Sequence, residues 1–287
     1  MESQSVTALS GGDQILIRAW LHGRPRNTVI AYRNDTSRFL AHAGKPLAEI
    51  ALADLQAWDT SLVGDRPASR VRRLSAVKSL LTFAHGQMGA IATDPGRAMR
   101  LAKPTSTTAD RILSEADVAR MIGSELDPSR KCLLRVLYLC GLRASEAVAL
   151  CWRDMTPAAK RGADGEAKIL GKGAKLRKVG VSAALWRDLV ALSPARQPNA
   201  PVLPSPAGGP FNRQAVHRVV KSAARRVGLG KSVSPHWLRH CHVSHALDRG
   251  APVQVVQKTV GHASLATTSG YAHPRPGDHS GGYLPAV

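Results

Sequence analysis

The second half of the sequence contains four short motifs whose polar residues could together handle a phosphate group. In the first, Arg143 and Glu146 stand three residues apart, directly after Gly141 and at the start of a helical pattern. Backbone N–H groups at a helix start favour an anion, and a carboxylate one turn along can orient the guanidinium. Such a pair is also common as an exposed ion pair, so it does not define a site by itself.

The second motif, SPHWLRH (234–240), reads as a helix start followed by a proton carrier and a fixed cation. Ser234 suits the N-cap and Pro235 the first helical position, which puts His236 and Arg239 one turn apart. Histidine exchanges its proton near neutral pH, and arginine can grip a phosphate with two hydrogen bonds while staying charged. An ordinary capped helix with polar decoration would give the same pattern.

The third and fourth motifs add a phenol and a lysine. GHASLATTSGY (261–271) has His262 after a glycine that can end a helix, and Tyr271 nine residues later. GKGAKLRK (171–178) has Lys172 between two glycines and does not fit a Walker phosphate loop. Each has a simpler interpretation, because tyrosines are often half-buried and basic turns are usually solvated.

Together these motifs supply what is needed to transfer a phosphoryl group without a metal ion. They contain cations for the non-bridging oxygens, proton donors for the leaving oxygen, and a nucleophile. The run HCHVSH (240–245) invites a zinc interpretation, but no further Cys or His pair stands at a familiar spacing. We therefore predict neither a metal site nor a bound cofactor.

The elements that must position these groups are mostly helices. An apolar stripe at three- and four-residue steps predicts a helix over 71–88, formed by Val71, Leu74, Val77, Leu81, Ala84 and Met88. The segment 166–182 alternates and contains a turn, which indicates a short β-hairpin or three-stranded sheet with basic residues at its tip. We predict a mainly α fold with a small β-sheet (α+β): a helical domain over 10–101, a linker over 102–111, a second domain over 112–275, and a tail over 276–287.

Charge points to a polyanionic partner. The 287 residues include 40 Lys and Arg against 20 Asp and Glu, which gives a net charge of +20. The excess occurs on both sides of residue 110, as expected if both domains contact a phosphate backbone. No apolar run is long enough to span a membrane, and four scattered cysteines favour the reducing cytoplasm.

The ordered set GLRASE, GKGAKLR, SPHWLRH and VGHASLATTSGY resembles the tyrosine recombinase (phage integrase) family, including the Xer recombinases. The resemblance covers nearly the whole chain. It implies an N-terminal helical core-binding (SAM-like) domain, a C-terminal catalytic domain, and a C-shaped clamp around DNA. It also implies a site-specific recombinase that cleaves and rejoins strands through a 3′-phosphotyrosine, without metal, ATP or another cofactor.

The resemblance assigns roles to individual residues. The expected catalytic set is Arg143, Lys172, His236, Arg239, His262 and Tyr271. In this set the arginines hold the scissile phosphate, the lysine is the general acid, the histidines assist proton transfer, and the tyrosine attacks. Glu146 would support Arg143, and His240 would pack or hydrogen-bond behind the cleft. Lys175 or Lys178 would replace Lys172 if the hairpin register shifts.

Further DNA contacts are expected from basic residues in both domains: Arg72, Arg73, Lys78, Lys175 and Arg177. The expected partner is a double-stranded recombination site, with four protomers on paired sites and a monomer or weak dimer when free. Two alternatives remain open. One is a type IB topoisomerase, which relaxes DNA without site preference, and the other is a non-catalytic DNA-binding protein on the same scaffold. The Pro- and Gly-rich tail leaves its docking on a neighbouring protomer in doubt.

Overall fold

The structure is a computed structural model that describes residues 11–101, 109–160, 164–171, 175–230, 233–262, 268 and 271. The chain divides into two compact units, Met1–Ser106 and Thr107–Val287. Within the described residues, no helix is long and apolar enough to cross a lipid bilayer. The mainly helical fold with a small sheet agrees with the prediction.

The described part of the first unit is built from α-helices: α1 (Gly11–Leu21), α2 (Arg26–Ala43), α3 (Leu52–Ser61) and α4 (Pro67–Gly86). Phe39, Leu55 and Leu80 are fully buried between them. Helix α2 ends where Gly44 takes a left-handed conformation and its N–H donates to the carbonyl of Leu40 at 2.9 Å. The unit therefore has its own apolar core.

The apolar face predicted on 71–88 is buried at its centre, but its last residue, Met88, is not. Met88 is 49% exposed, because α4 stops at Gly86 and the chain turns away. The buried face is also wider than predicted, since α4 packs against α1, α2 and α3 together. It consists of Leu74, Ala76, Val77, Leu80, Leu81 and Ala84.

The second unit surrounds a small sheet with helices. Its α-helices are α5 (Glu115–Gly123), α6 (Pro128–Leu139), α7 (Ala144–Ala149), α8 (Ala183–Leu192), α9 (Arg213–Arg226), α10 (Pro235–Asp248) and α11 (Val253–Val260). The strands are β1 (Met155–Thr156), β2 (Gly165–Leu170) and β3 (Leu176–Val181). All three pair antiparallel in the order β1-β2-β3, which confirms the predicted sheet.

The sheet follows the alternation seen in the sequence. Ala167, Ile169, Val179 and Val181 point into the core, and the residues between them face outward. The β2–β3 register ends with Leu170 opposite Leu176. Just beyond it, the Gly171 N–H donates to the Lys175 carbonyl at 2.9 Å, so these two residues lie at one end of the sheet.

Helix α10 is the central positioning element of the second unit. It packs against α5, α6, α9 and α11, and most of its length is buried. Pro235 occupies the first helical position as predicted. Ser234 takes the extended N-cap conformation, but its hydroxyl makes no capping hydrogen bond, unlike the prediction. Its carbonyl accepts from Trp237 N–H at 2.9 Å instead.

Candidate active site

The first motif forms a sharp turn between α6 and α7. Gly141 has a left-handed backbone (φ 60°), and a Cβ atom there would lie 2.6 Å from the His242 ring, so only glycine fits. The turn puts Arg143 at the N-cap of α7. Its backbone N–H and its Nη1 donate to the two carboxylate oxygens of Glu146, each at 2.8 Å. The Arg143 side chain keeps 35% exposure and can meet a ligand from solvent.

Arg239, from the second turn of α10, lies behind that turn. It is almost completely buried, and it donates to the carbonyl of Gly141 at 2.6 Å and to the carbonyl of Val260. Its Nη1 lies 4.0 Å from a Glu146 oxygen. Burial, followed by the charge of Arg143, lowers the pKa of Arg239 to about 10, so it stays protonated at neutral pH. The two predicted arginines therefore share one pocket with one carboxylate.

Tyr271 is buried beside α10. Its hydroxyl hydrogen-bonds to Nδ1 of His240, and the two rings stack with centroids 5.6 Å apart. The ring of His236, one turn earlier, meets His240 edge-on at 4.3 Å. Within the described residues, Nε2 of His240 has no hydrogen-bond partner. The predicted role of His240 as a group behind the cleft thus takes a specific form: it holds the phenol.

His262 follows the end of α11. Gly261 closes that helix in a left-handed conformation, and Nδ1 of His262 lies 3.0 Å from Oγ1 of Thr268. Burial lowers the pKa of His262 to about 4, with further lowering by Arg239 and Arg143. His262 is therefore coupled electrostatically to Arg239 and Arg143.

The protonation of the remaining groups follows from burial. Burial lowers the pKa of His236, and it lowers that of His240 to about 4. It raises the pKa of Tyr271 above its usual value, against smaller opposing effects of Arg239 and Arg111. At neutral pH the site therefore contains neutral imidazoles and a neutral phenol among fixed arginine charges.

The predicted general acid, Lys172, lies outside the described residues. Of its two alternatives, Lys175 is exposed at the start of β3, and Lys178 is exposed and forms an ion pair with Glu166 at 2.8 Å. The remaining basic residue of β3, Arg177, differs from these two lysines because its side chain is buried.

Arg177 is placed differently from its prediction as an exposed DNA contact. Its side chain is only 8% exposed. Nη1 and Nη2 donate to the two Glu146 oxygens at 3.0 and 2.8 Å, and Nε donates to the carbonyl of Thr259 at 2.7 Å. Sequence reasoning missed this because the partners are 31 and 82 residues away. Burial alone would raise the pKa of Glu146, but the hydrogen bonds from Arg177 and Arg143 outweigh it and lower that pKa.

The basic residues predicted on α4 also have internal partners. All three donate within the first unit, which leaves less of their charge for a ligand than the sequence suggests. The pairs are Arg72 with Asp35, Arg73 with Asp65, and Lys78 with the carbonyl of Met99.

Arg111 is a neighbour of the site that the sequence did not reveal. It is exposed, and its charge acts on the pKa of His236, His240 and Tyr271. The next residue, Ile112, packs against the apolar cluster that includes Tyr271. Arg111 was hidden because it ends the predicted linker and belongs to no motif.

The His- and Cys-rich run on α10 is occupied by ordinary contacts. His242 Nδ1 contacts the Tyr138 carbonyl at 2.8 Å, His245 Nδ1 contacts the Tyr138 hydroxyl at 2.9 Å, and Cys241 contacts the backbone of Leu113. In the part of the chain that the structure describes, no group of three or more His, Cys, Asp or Glu side chains is arranged to hold a metal ion.

Comparison with known proteins points to one family. Residues 105–277 match the model of the phage integrase family. The chain is 32% identical over 280 residues to the tyrosine recombinase XerD of Vibrio cholerae serotype O1, covering 91% of this chain and 90% of that protein. It is 33% identical over 261 residues to the tyrosine recombinase XerC of Xanthomonas campestris pv. campestris, covering 86% and 78%.

Two solved structures have a similar fold. The XerH site-specific recombinase bound to its difH substrate gives a TM-score of 0.70 at 19% identity, covering 86% of this chain and 76% of that one. A lambda integrase (75-356) dimer bound to a COC′ core site gives 0.72 at 16% identity, covering 93% and 96%.

The chain therefore belongs to the phage integrase family. Within this family, the chain is similar to the Xer tyrosine recombinases. This similarity confirms the predicted function, which is site-specific DNA recombination by strand cleavage and rejoining.

Proposed function

We propose that Tyr271 attacks a DNA phosphodiester held between Arg143 and Arg239 and becomes linked to the 3′ phosphate. The observation that carries this proposal is the position of the phenol. Its hydroxyl is buried on α10 against His240, and its pKa is influenced by Arg239. The hydroxyl therefore has a proton acceptor beside it and a fixed cation nearby, which are the neighbours that a nucleophile for a phosphate needs.

The chemistry balances without an external energy source. The phenolic oxygen forms a bond to phosphorus as the bond from phosphorus to the 5′ oxygen breaks, and that oxygen takes a proton to become a hydroxyl. The arginines stabilise the added negative charge of the transition state. The phosphotyrosyl ester keeps the free energy of the broken link, so a 5′ hydroxyl can reverse the attack and rejoin a strand. Lys172 is our candidate for the proton donor, from the family resemblance.

The proton on the phenol passes to His240 in this proposal. His240 Nδ1 is the acceptor already in contact with the hydroxyl. Without DNA the transfer is strongly uphill, because the imidazole pKa is lowered to about 4 and the phenol pKa is raised. A bound phosphate anion stabilises imidazolium, and bond formation to phosphorus acidifies the phenol. The proton therefore moves late, and only when DNA is bound.

We further propose a double-stranded recombination site as substrate, with two sites joined by four protomers and a monomer or weak dimer in free solution. The net charge of +20 supports a DNA backbone as partner. The lambda integrase relative, solved as a dimer on its core site, makes assembly on DNA a reasonable expectation for this chain. Such a reaction takes place on DNA in the cytoplasm.

A supercoiled-plasmid assay tests this function against its alternatives. We expect recombinant products from plasmids with two copies of the cognate site, identified beforehand by footprinting on genomic DNA, and none from plasmids without it. Relaxation of every plasmid would indicate a type IB topoisomerase. Binding with no strand cleavage would indicate a non-catalytic protein. Tyr271→Phe is the matched control, which should bind the site and give no products.

A further inference from the structure

We infer that Arg177 is a positioning residue of the active site, which fixes Arg143 through Glu146 and joins strand β3 to the Arg143 turn and to the end of α11. This inference rests on the proposed function. It replaces the earlier expectation that Arg177 touches DNA.

All three nitrogens of the Arg177 guanidinium donate hydrogen bonds to other residues of the second unit. Its two terminal nitrogens bind both oxygens of Glu146 in a fork, at 3.0 and 2.8 Å. Its Nε donates to the Thr259 carbonyl at 2.7 Å. The side chain is 8% exposed and that of Glu146 is 5% exposed. A planar guanidinium is suited to this arrangement because its donors match a carboxylate and a carbonyl at the same time.

Glu146 passes this constraint to Arg143. The same two carboxylate oxygens accept from the backbone N–H and the Nη1 of Arg143, each at 2.8 Å. With Arg143 alone, the carboxylate would be held only from the start of its own helix, α7. Arg177 also donates to both oxygens, from strand β3, and thereby ties the carboxylate, and the guanidinium of Arg143 bound to it, to a second element.

The Nε contact extends the network to the end of α11. Thr259 lies three residues before His262, at the last turn of that helix. Gly261 takes a left-handed conformation, and a Cβ atom there would lie 3.2 Å from Cδ of Arg177. Arg177 itself belongs to β3. One side chain thus links the Arg143 turn, strand β3 and the end of α11.

Charge explains why an arginine is needed between these segments. Arg143, Arg177 and Arg239 gather around one carboxylate, so the pocket keeps a positive excess for a phosphate. Glu146 without Arg177 would be a buried carboxylate with one fewer partner, and it would draw more strongly on Arg143 and Arg239. Those two arginines would then be poorly aligned with the phosphate. Poor alignment weakens binding of the transition state more than binding of the substrate.

The experiment compares binding and chemistry in the full chain on a nicked suicide site that traps the covalent complex. Arg177→Met keeps the length of the side chain and removes its donors. We expect its DNA dissociation constant to change less than about threefold and its single-turnover cleavage rate to fall on the order of 100-fold, the scale of a small misplacement of a reacting group. Arg177→Lys restores the charge without the fork, and we expect it to recover only a small part of the rate.

A double-variant cycle identifies the route of the effect. If Arg177 acts through Arg143, adding Arg177→Met to Arg143→Ala should cost little further cleavage rate. Losses that multiply would contradict the inference. A raised dissociation constant with a salt slope smaller by about one would also overturn it, because that pattern marks a direct phosphate contact.

Fold effects are separated by a control and a second readout. Arg249 makes a similar two-point contact with Glu115, at an exposed position that is not part of the proposed site. Arg249→Met removes this contact and should leave the cleavage rate unchanged. Rates are normalised to the folded fraction from thermal unfolding; a loss that disappears on normalisation would mean that Arg177 only stabilises the fold. If the wild-type protein forms no covalent complex, the proposed function fails; if Arg177→Met cleaves as well as wild type, only this inference fails.

Discussion

In the proposed mechanism, the hydrogen bond between Tyr271 and His240 is the route by which the nucleophile loses its proton. Its neighbours pull in opposite directions, because burial keeps the phenol protonated while the nearby Arg239 favours the phenolate. The imidazole is neutral and can accept the proton, which turns it into an imidazolium. In the proposed mechanism a bound phosphate anion stabilises this added positive charge.

Replacing His240 should slow attack without affecting departure of the leaving group. We expect His240→Phe, which keeps the stacked ring and loses the acceptor, to cleave about 10²-fold or more slowly. The defect should persist on DNA with a 5′-bridging sulfur, whose thiolate leaves without help from an acid. The measurement is single-turnover covalent trapping on oxygen and sulfur substrates.

Lys172→Ala is the matched control for that measurement. As the proposed proton donor, its loss should be severe on the oxygen substrate and largely relieved by sulfur. Relief of His240→Phe by sulfur would show that His240 serves the leaving group, contrary to our assignment.

Motif spacing predicted which residues meet, but it did not predict how they bond. Glycines and a proline mark helix ends near Arg143, Arg239 and Tyr271 in the sequence, and the family resemblance joined these residues into one expected catalytic set. The fork from Arg177 to Glu146 could not be predicted, since a basic residue in a strand looks the same whether it points to solvent or to a buried carboxylate. Whether the Arg177 side chain is exposed depends on α7 and α11, which lie far from it in the sequence.

Two features at the level of elements determine the geometry of the site: the turn between α6 and α7, and α10. Gly141 is needed twice, once for its positive φ and once because the His242 ring from α10 fills the space beside it. The turn and the helix are therefore fitted to each other. Arg239 strengthens this fit by bonding to the Gly141 carbonyl.

Gly141→Ala should accordingly cost more stability than an alanine at an open left-handed glycine. Gly228→Ala is the matched control in the same unit, with φ 72° and no atom within 4 Å of the added Cβ. Both variants carry the left-handed strain of about 1–2 kcal/mol, and Gly141→Ala adds an overpacking cost of about 1–3 kcal/mol. Urea unfolding measures the difference, and equal midpoints for the two variants would contradict the tight fit.

Element boundaries were less predictable than element types. The helix over 71–88 was correctly assigned, but its end was set too late, because apolar spacing alone continues through Met88 while the chain turns after Gly86. The position of the cap at Ser234 was predicted correctly, but its hydrogen bond was not: the hydroxyl makes no capping contact, and the carbonyl accepts from Trp237 N–H.

Buried neutral histidines give the whole second unit a pH-dependent stability. The pKa values of His240, His242 and His262 are lowered to about 4 from a usual 6.5, mainly by burial. Between about pH 6.5 and 4 the unfolded chain binds protons that the folded chain does not, so the free energy of unfolding should fall as the pH falls. Hydrogen exchange of α10 peptides in urea at pH 7 and 5 measures this, after correction for intrinsic exchange rates.

The same experiment between pH 8 and 7 provides the control, since these imidazoles are mostly neutral in both states there and only a small change in stability is expected. A stability that stays constant from pH 7 to 5 would mean that the three side chains are not buried in neutral form.

The charge of the molecule predicts strongly salt-dependent DNA binding. With a net charge of +20, we expect many backbone phosphates to be neutralised and their counterions released. Six to ten such contacts would weaken binding by about 10³–10⁵-fold between 50 and 200 mM salt. Fluorescence anisotropy with a labelled site across this range gives the slope, and a flat response would contradict a backbone-based interaction.

The central claim is that the Tyr271 oxygen becomes covalently joined to a DNA 3′ phosphate. Trapping on a nicked suicide site, followed by protease digestion and mass spectrometry, tests it directly. We predict one adduct, in which DNA is attached through its 3′ phosphate to the peptide that contains Tyr271. Tyr271→Phe should give no adduct and should still bind the same DNA. An adduct on another residue, or a covalent complex that persists in Tyr271→Phe, would contradict the account.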